Sequence, residues 1–577
     1  MNIEALCHIP KSNYAYAYKE NELHIRIRTA KNDMVQVNLI YGIKYDWINK
    51  QQHTMKKILT DQYFDYYQYN IVQEDTRIGY YFELVSKAAT IYYTEVGVES
   101  EFNDALAHCY FFQYPFINKV DVHKEPSWVH EAIFYQIFVE RFKNGNVENS
   151  PGNLSDWEDV PKPKSFYGGD LQGIINNLDY LSDLGINGIY LTPIFQAPSN
   201  HKYDIVNYYE IDPYFGDKKA FKELVEKAHA KKIKIVLDAV FNHCSDLFPP
   251  FLDVVEKGMN SEYYDWFFID DDIVEKNPPN YRMFSYVSHM PKLNTANPKL
   301  KEYLLSSVRY WTKEFDIDGW RLDVSDEIDH KFWREFRNVV KEINEETIII
   351  GENWHNAYPW LMGDQFDSVM NYPVTKLCLD FFAKKEISAK TFEHQLSSYL
   401  IRYPDQVNDA MLNLLDSHDT ERFLYSADEN KKALKNAAAF LFAYKGMPCT
   451  YYGTEIGMTG SHDPGCRKGF DWKQENWDME LYEFYKRLIT LRKEEKALMY
   501  GTIEFLSTEA LFAMRRTYEG ESIYILINLE EKEQEITIDE PDFSSLTEVL
   551  SGGVWKLSQG IVTVKVPADR TFYMKLS

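Results

Sequence analysis

The segment Lys234-Ile235-Val236-Leu237-Asp238-Ala239-Val240-Phe241-Asn242-His243 decides the fold. Its first part is continuously apolar after the lysine, which is typical of a parallel strand buried on both faces. Asp238 and His243 come at the end of this run. Because parallel α/β barrels carry their reactive groups at the carboxyl ends of the strands, this segment predicts a barrel strand that leads into a functional site.

Seven more apolar, β-branched segments alternate with helical patterns, as in repeated βα units around a parallel sheet. The eight predicted strands are Ala132–Phe138, Gly188–Thr192, Ile233–Asp238, Gly319–Val324, Thr347–Glu352, Phe366–Met370, Ala410–Leu415 and Pro448–Tyr452. Eight such units predict an α/β fold, a (β/α)8 TIM barrel at residues 123–500. Residues 244–298, rich in proline and aromatic side chains, are predicted to form an inserted subdomain after the third strand.

Both flanks of the barrel show the period of two that is typical of antiparallel strands. In the N-terminal flank the alternation is visible at His24–Thr29 and Val35–Leu39, and in the C-terminal flank at Ser522–Ile527 and Ile561–Val566. We therefore expect an N-terminal β-sandwich at residues 1–122 and a C-terminal β-sandwich at residues 501–577.

Composition limits the classes of partner. The chain has 577 residues and a net charge of −25, which disfavours binding to nucleic acid or to anionic membrane surfaces. Its six cysteines are scattered and form no C-x-x-C pair, so neither a disulfide framework nor a structural zinc site is expected. The first residues lack a secretory signal and no apolar run approaches the ~18 residues of a membrane span. These features predict a cytoplasmic protein.

The predicted strand ends gather acidic, basic and imidazole side chains. Two carboxylates in different environments are what glycosidic cleavage requires, one to attack and one to donate a proton. A single aspartate at such a position can equally be a structural cap, but a whole set at strand ends indicates a site. The set is Asp238, His243, Arg321, Asp323, Glu352, His418 and Asp419.

Four of these segments resemble, in order, the four signature regions of the α-amylase family, glycoside hydrolase family 13. They are Asp238–His243, Gly319–Asp323, Gly351–Trp354 and Leu415–Asp419. Three further stretches resemble the neopullulanase, cyclomaltodextrinase and maltogenic amylase group within that family. They are Asn200–Asp204, Met290–Asn294 and Asp463–Arg467.

The resemblance implies a catalytic role for three carboxylates. Asp323 would be the nucleophile, Glu352 the general acid and base, and Asp419 the stabiliser of the distorted sugar ring. Arg321, two residues before Asp323 on the same strand face, is expected to keep Asp323 ionised. A carboxyl pair at about 5–5.5 Å would give retention of the α-anomer.

Further substrate-binding positions also follow from the resemblance. His243 and His418 would donate hydrogen bonds to sugar hydroxyls, with Asp463 and Arg467 on the glycone side. Glu327 would bind the acceptor and affect transglycosylation, although Val324-Ser325-Asp326 precedes it where the group more often has Ala-Asn. Three aromatic residues offer either sugar contacts or ordinary core packing, namely Tyr203, Phe284 and Trp354.

An Asn-rich loop resembles the group's structural Ca²⁺ site. Fewer carboxylates than in relatives predict weaker binding, and an Asn-rich turn without metal is the alternative. The residues are Asn144, Asn146, Asn149, Ser150, Gly168 and Asp170.

The leading functional hypothesis is a retaining hydrolase of α-1,4 bonds in cyclodextrins, maltooligosaccharides and pullulan. By resemblance, the N-terminal domain is similar to a carbohydrate-binding module and forms a homodimer over the active site. An enzyme that prefers α-1,6 bonds or transglycosylation stays open. A non-catalytic sugar-binding homologue is disfavoured because all three carboxylates are present. A phosphorylase is disfavoured because no glycine-rich phosphate loop is found.

Overall fold

The computed structural model describes residues 1–104 and 110–576. One of the six cysteines, Cys109, lies outside the described residues. From the N-terminus, the chain forms a β-sandwich, a parallel barrel with surrounding helices, and a second β-rich unit. The predicted fold class is confirmed.

The N-terminal sandwich contains two antiparallel sheets, in the orders β1-β2-β6-β5 and β4-β3-β7-β8-β9, with β10 paired to β7. Alternate residues such as Ile25, Ile27, Leu39 and Leu84 are fully or nearly fully buried between the sheets, as the period of two predicts. The strands are β1 (Ala15–Lys19), β2 (Glu22–Ala30), β3 (Gln36–Ile43), β4 (Asp46–Thr54), β5 (Lys56–Thr60), β6 (Phe64–Val72), β7 (Ile78–Val85), β8 (Thr90–Thr94), β9 (Gly97–Glu99) and β10 (Phe112–Tyr114).

The barrel sheet has eight parallel strands in the order β18-β17-β16-β15-β12-β11-β20-β19. A parallel bridge between Met370 and Leu412 joins its two ends, so the sheet closes on itself. All eight predicted strands occur at the expected places. The strands of this region, with the separate hairpin β13–β14, are β11 (Phe134–Ile137), β12 (Gly188–Leu191), β13 (Phe195–Gln196), β14 (Asn207–Ile211), β15 (Lys234–Ala239), β16 (Gly319–Leu322), β17 (Ile348–Gly351), β18 (Ser368–Val369), β19 (Leu412–Leu414) and β20 (Met447–Tyr451).

Helices cover the outside of the barrel. The longest one shows why the sequence folds this way: the Asn297 side chain caps it, Pro298 occupies its first turn, and an apolar stripe from Leu300 to Phe315 faces the core. No helix in the described ranges is both long and apolar enough to span a membrane. The helices are α1 (Val139–Phe142), α2 (Leu171–Asn176), α3 (Leu178–Leu184), α4 (Lys218–Ala230), α5 (Pro249–Lys257), α6 (Pro298–Phe315), α7 (His330–Ile343), α8 (Tyr372–Cys378), α9 (Ala389–Leu400), α10 (Asp405–Ala410), α11 (Phe423–Ser426), α12 (Lys431–Ala443), α13 (Met479–Glu494) and α14 (Lys496–Tyr500).

The segment between β15 and α6 folds back onto the end of the third barrel strand. A bridge pairs His243 with Lys292, and the Leu293 N–H donates to the Asn242 carbonyl at 2.9 Å. This return fixes the segment around residues 284–293 beside the carboxyl end of the barrel, where it forms one wall of the site.

The C-terminal unit contains a six-stranded sheet in the order β21-β22-β23-β28-β25-β26 and a two-stranded sheet of β24 and β27. Leu526, Val564 and Met574 are buried in the core between them. The strands are β21 (Thr502–Phe505), β22 (Leu511–Tyr518), β23 (Glu521–Asn528), β24 (Gln534–Asp539), β25 (Ser545–Glu548), β26 (Val554–Lys556), β27 (Ile561–Val566) and β28 (Arg570–Leu576).

Candidate active site

A buried guanidinium lies at the centre of the site. Arg321, on β16, is fully buried and its Nη1 lies 2.8 Å from Asp323 Oδ1. The same Nη1 lies 3.1 Å from both carboxylate oxygens of Asp238, at the end of β15. Its Nη2 lies 2.7 Å from Glu352 Oε2, after β17, and 3.9 Å from Asp419 Oδ2, after β19. One arginine thus brings together four carboxylates from four strand ends.

Asp323 has one engaged and one free oxygen. Oδ1 is paired with Arg321, whereas Oδ2 is buried and accepts no hydrogen bond from the described residues. Burial raises the pKa of Asp323 well above its usual range, and the nearby Glu352 carboxylate adds to this effect. Arg321 opposes the rise but does not cancel it. The ion pair expected from the sequence is present, and Arg321 favours the ionised form of Asp323 as expected. Burial nevertheless raises the pKa of Asp323, because desolvation outweighs one shared guanidinium.

Glu352 is surrounded by donors. Its Oε2 accepts from the Val324 backbone N–H at 2.9 Å and forms an ion pair with Arg321 Nη2 at 2.7 Å, and its Oε1 accepts from Trp354 Nε1 at 3.2 Å. Val324 has a left-handed backbone, with φ of 43°, which is rare for a β-branched residue. This conformation aims the Val324 N–H at the carboxylate, a feature that no sequence signal reveals.

The other wall of the site contains a stacked pair of rings. Tyr203 and His418 lie parallel, with centroids 5.5 Å apart, and the Tyr203 hydroxyl is 2.5 Å from His418 Nε2. Gln136 Nε2 donates to His418 Nδ1 at 2.7 Å, which assigns the imidazole proton to Nε2. Burial lowers the pKa of His418 well below its usual range, so this ring is a neutral donor that also lies 3.2 Å from Asp419 Oδ2.

Arg467 connects two acidic residues along the cavity. Its Nη1 is 2.9 Å from Asp463 Oδ1 and its Nη2 is 3.4 Å from Asp419 Oδ1. Its Nε donates to the His418 carbonyl at 2.8 Å. The loop that carries Asp463 and Arg467 is therefore fixed to the end of the seventh strand.

The remaining predicted contacts lie on the opposite rim. The His243 ring stacks on Phe284 with centroids 4.7 Å apart, and its Nε2 is buried and unpaired in the described residues. Burial lowers the pKa of His243 to about 3, with Lys292 adding to the effect. The Trp354 ring stacks on Tyr372 at 3.6 Å yet is 50% exposed.

Glu327 also lies on this rim. Its Oε2 is 3.0 Å from Lys292 Nζ, and Lys292 also contacts the Asn242 side chain. This ion pair connects the inserted segment to the end of the fourth strand.

A cavity of about 570 Å³ lies above the carboxylates. Ten of the twelve predicted catalytic and substrate-binding residues line it, whereas Arg321 and His418 do not line it and are fully buried. The sequence reasoning left five lining residues out of its site set. His201 and Met290 belong to motifs named in the sequence analysis, Val324 and Asp326 precede Glu327 in a segment also named there, and Val287 has no separate sequence signal. The five are His201, Val287, Met290, Val324 and Asp326.

The residues of the predicted calcium loop also come together. Asn144 Nδ2 donates to Ser150 Oγ at 2.8 Å, and a Cβ on Gly168 would lie 2.7 Å from that amide nitrogen. Asn146 Nδ2 donates to Asn149 Oδ1 at 3.3 Å. The Asp170 carboxylate accepts from the backbone N–H groups of residues 145, 146 and 173.

One oxygen of this loop has no protein partner. Asn144 Oδ1 is buried and accepts no hydrogen bond from the described residues. Such an oxygen suits a hard cation. Within residues 1–104 and 110–576, no group of three His, Cys, Asp or Glu side chains forms a metal cluster, so any cation here would rely on amide, hydroxyl and carbonyl oxygens.

Comparisons with known proteins agree with this geometry. A model of the α-amylase catalytic domain matches residues 136–477, and a model of the α-amylase N-terminal Ig-like domain matches residues 1–118. The chain belongs to the α-amylase family. It is a glycoside hydrolase of the group that includes cyclomaltodextrinases, maltogenic amylases and neopullulanases, and the resemblance seen in the sequence is confirmed.

Individual relatives in this family are similar over nearly the whole chain. A cyclomaltodextrinase from Geobacillus thermopakistaniensis strain MAS1 is 48% identical over 546 residues, 93% of this chain and 92% of its own. A maltogenic α-amylase from Bacillus acidopullulyticus is 46% identical over 539 residues, 91% of both chains. A solved cyclomaltodextrinase structure superposes with a TM-score of 0.95 at 43% identity and covers 100% of both chains.

Proposed function

We propose that this protein is a retaining α-glucan hydrolase that cleaves α-1,4-glucosidic bonds in cyclodextrins, maltooligosaccharides and pullulan. The observation that carries the proposal is the pair of carboxylates held by one guanidinium, with Asp323 on Nη1 and Glu352 on Nη2. Two carboxyl groups that contact the same guanidinium suit a double displacement rather than a single attack by water. The free Oδ2 of Asp323 is the atom available for attack.

The reaction follows from these positions. Asp323 Oδ2 attacks the anomeric carbon while Glu352 donates a proton to the leaving glycosidic oxygen, and a β-glycosyl ester forms on Asp323. Glu352, now ionised, takes a proton from water as the water attacks the same carbon and releases Asp323. Two inversions return the α-anomer. Asp419, opposite these groups, accepts hydrogen bonds from the hydroxyls of the distorted ring.

Side chains around the cavity orient the sugar. His243 has a free ring nitrogen at the cavity wall, whereas the buried, neutral His418 holds the Tyr203 hydroxyl and lies next to Asp419. Asp463 and Arg467 would hold the glycone side, whereas Trp354 and Glu327 lie toward the acceptor side. Tyr203 and Phe284 supply ring surface against the C–H faces of glucose.

A parallel product analysis tests the proposal. β-Cyclodextrin, pullulan and soluble starch are digested separately, and the products and their anomeric form are followed by chromatography and NMR. We expect rapid ring opening to α-maltose, panose from pullulan, and slow attack on starch. β-Anomeric products would contradict the mechanism. Maltotriose from pullulan would indicate α-1,6 cleavage, and longer products from maltotriose alone would indicate transglycosylation.

We also propose that the active protein is a homodimer. Large apolar side chains are exposed in the N-terminal sandwich and at the cavity rim, with Ile48 at 90% and Tyr286 at 96%. Exposed apolar groups in two such regions suit a contact in which one copy's sandwich covers the other's cavity. Light scattering coupled to gel filtration should give twice the chain mass of 68.1 kDa. Ile48→Asp should shift the protein to monomer, whereas a wild-type monomer would refute the dimer.

We propose a structural calcium ion in the loop of Asn144, Asn146, Asn149, Ser150, Gly168 and Asp170. The buried, unpartnered Asn144 Oδ1 supports it, and the presence of a single carboxylate predicts weak affinity. Millimolar Ca²⁺ added to EDTA-treated protein should raise the melting temperature, and Asn144→Ala should abolish the rise. Equal melting temperatures with and without Ca²⁺ would exclude the site.

We propose a cytoplasmic location. The five cysteines in the described ranges are free thiols, and four of them are buried, which suits a reducing compartment. Cell fractionation should recover the activity with cytoplasmic markers; activity in the culture medium would contradict this.

A further inference from the structure

A second cavity lies at the same end of the barrel as the catalytic one. Its volume is about 730 Å³, larger than the catalytic cavity. Its walls come from the loop after α1 and from two stretches of the loop that follows β20. No catalytic carboxylate lines it, so the proposed reaction does not use it.

One short loop separates the two cavities. Asp463 and Arg467 line the catalytic cavity, whereas Thr459 and Lys468 on the same loop line the second one. A chain bound in the second cavity would therefore lie next to the glycone end of the catalytic site, without sharing its side chains.

Two tryptophans, together with Ile456 and Met458, form the apolar part of the second cavity. Trp157 Nε1 donates to the Phe470 carbonyl at 2.8 Å, and Trp472 Nε1 donates to the Phe142 carbonyl at 2.6 Å. Gly469 packs so closely that a Cβ there would lie 2.9 Å from the Trp157 indole nitrogen. Because both indole N–H groups are used and the rings are fixed, the rings can offer a ligand only their apolar surfaces.

The charges around this cavity balance. Lys143, Lys468 and Lys473 face Glu158, Asp159 and Asp471 among the lining residues. Lys473 and Glu158 already form an ion pair with each other. Three positive and three negative side chains disfavour both anionic and cationic ligands.

Two polar atoms of the lining residues lack a partner among the described residues. One is Asn144 Oδ1, which belongs to the proposed calcium loop, and the other is on Thr459. Thr459 Oγ1 is buried and makes no hydrogen bond with the described residues. A hydroxyl can donate and accept at once, so it matches the hydroxyl of a neutral polyol. Ring surface, balanced charge and an unpaired hydroxyl together describe a saccharide site.

We propose that this second cavity binds a segment of neutral α-glucan chain, distinct from the segment being cleaved. The choice of α-glucan among neutral saccharides rests on the proposed function. Trp157 provides the stacking surface and Thr459 the hydrogen bond. The site keeps the distal part of a long chain on the enzyme while its other part occupies the catalytic cavity.

Calorimetric titration tests this proposal. Glu352→Gln protein is titrated with maltohexaose, so that the ligand is not consumed. We expect two molecules bound per chain, falling to one with the additional change Trp157→Ala. Thr459→Val, which keeps the side-chain shape, should weaken the second site about tenfold by removing one hydrogen bond. Trp128→Ala is the matched control, because Trp128 also donates its indole N–H to a backbone carbonyl but lies outside this cavity.

The outcomes separate the two proposals. One bound molecule per chain that Trp157→Ala and Thr459→Val leave unchanged would overturn the second site and leave the proposed hydrolase standing. No binding at all would overturn both. Two molecules per chain that survive both substitutions would also refute this assignment, because the extra site would lie elsewhere.

Discussion

Two buried clusters of charged side chains lie at opposite ends of the barrel strands, one with more carboxylates than cations and one with more cations than carboxylates. At the carboxyl ends, four carboxylates surround Arg321, and one of them, Asp419, also pairs with Arg467. At the amino end of β18, the single carboxylate of Asp367 lies 2.7 Å from Arg337 Nη1 and 2.9 Å from Lys341 Nζ. The first cluster has excess negative charge, and the second has excess positive charge.

The difference appears in the pKa values. Burial penalises every one of these carboxylates, yet the two cations lower the pKa of Asp367 to about 2. The pKa of Asp323 is raised instead, since its one guanidinium is shared and other carboxylates repel it. The ratio of cations to carboxylates thus distinguishes Asp367, whose ionised form stabilises the fold, from Asp323, whose raised pKa is typical of an active-site carboxylate.

The largest expected effect is that of Asp323→Asn. Loss of the nucleophile should lower kcat on β-cyclodextrin by on the order of 10⁴-fold or more. Because Asp323 lies among like charges, its neutralisation should leave the melting temperature unchanged or slightly higher. Near-normal turnover would refute the assignment, and a large drop in melting temperature would break the comparison between the two clusters.

The loss of activity caused by Glu352→Gln should be slightly smaller than that of Asp323→Asn, and it should depend on the leaving group of the substrate. We expect a loss of about 10³-fold on β-cyclodextrin, the usual range for a general acid. α-Maltosyl fluoride needs no protonation of its leaving group, so glycosylation by this substrate should be slowed far less. Equal losses of the glycosylation rate on both substrates, measured before the steady state, would exclude Glu352 as the acid.

Most of this architecture could be predicted from the sequence, because the features that decide it lie in the residues of each strand. The strand that ends in Asp238 is apolar on both faces, so its burial and direction follow from its own residues. The grouping of Asp323, Glu352 and Asp419 follows because parallel strands share one carboxyl edge.

Other features depend on contacts formed only in the folded protein, and the local sequence does not indicate them. The left-handed Val324, whose amide contacts Glu352, looks like an ordinary strand residue in the sequence. The upward direction of the Asp323 pKa depends on how many carboxylates share one arginine, which spacing does not reveal. The second cavity arises where loops distant in sequence, carrying Trp157 and Trp472, pack together.

Asp367→Asn should affect stability rather than catalysis. Removing the carboxylate leaves the largely buried Arg337 and Lys341 with backbone carbonyls but no counter-charge from Asp367, at a cost of about 3–5 kcal/mol in the free energy of unfolding. kcat and KM on β-cyclodextrin should stay unchanged well below the melting temperature. Denaturant unfolding and steady-state kinetics on the same samples check both halves. A selective loss of kcat with unchanged stability would show that the cluster around Asp367 affects catalysis, which would contradict this prediction.

The smallest expected effect is on acid unfolding, where the pH dependence of stability compares the two clusters directly. Because the folded pKa of Asp367 is about 2, below its unfolded value of about 3.9, the folded state favours the ionised form. This stabilisation is fully present above the unfolded pKa and is lost as pH falls through the folded one, about 2.5 kcal/mol in all.

The contribution of Asp323 to the pH dependence of stability has the opposite sign, because its raised folded pKa makes protonation stabilise the folded state. Between pH 5 and 2, denaturant titrations should therefore show a shallower loss of stability for Asp367→Asn than for the wild type, and a steeper loss for Asp323→Asn. Identical slopes in all three proteins would mean that the charge ratio does not set the behaviour of these two clusters.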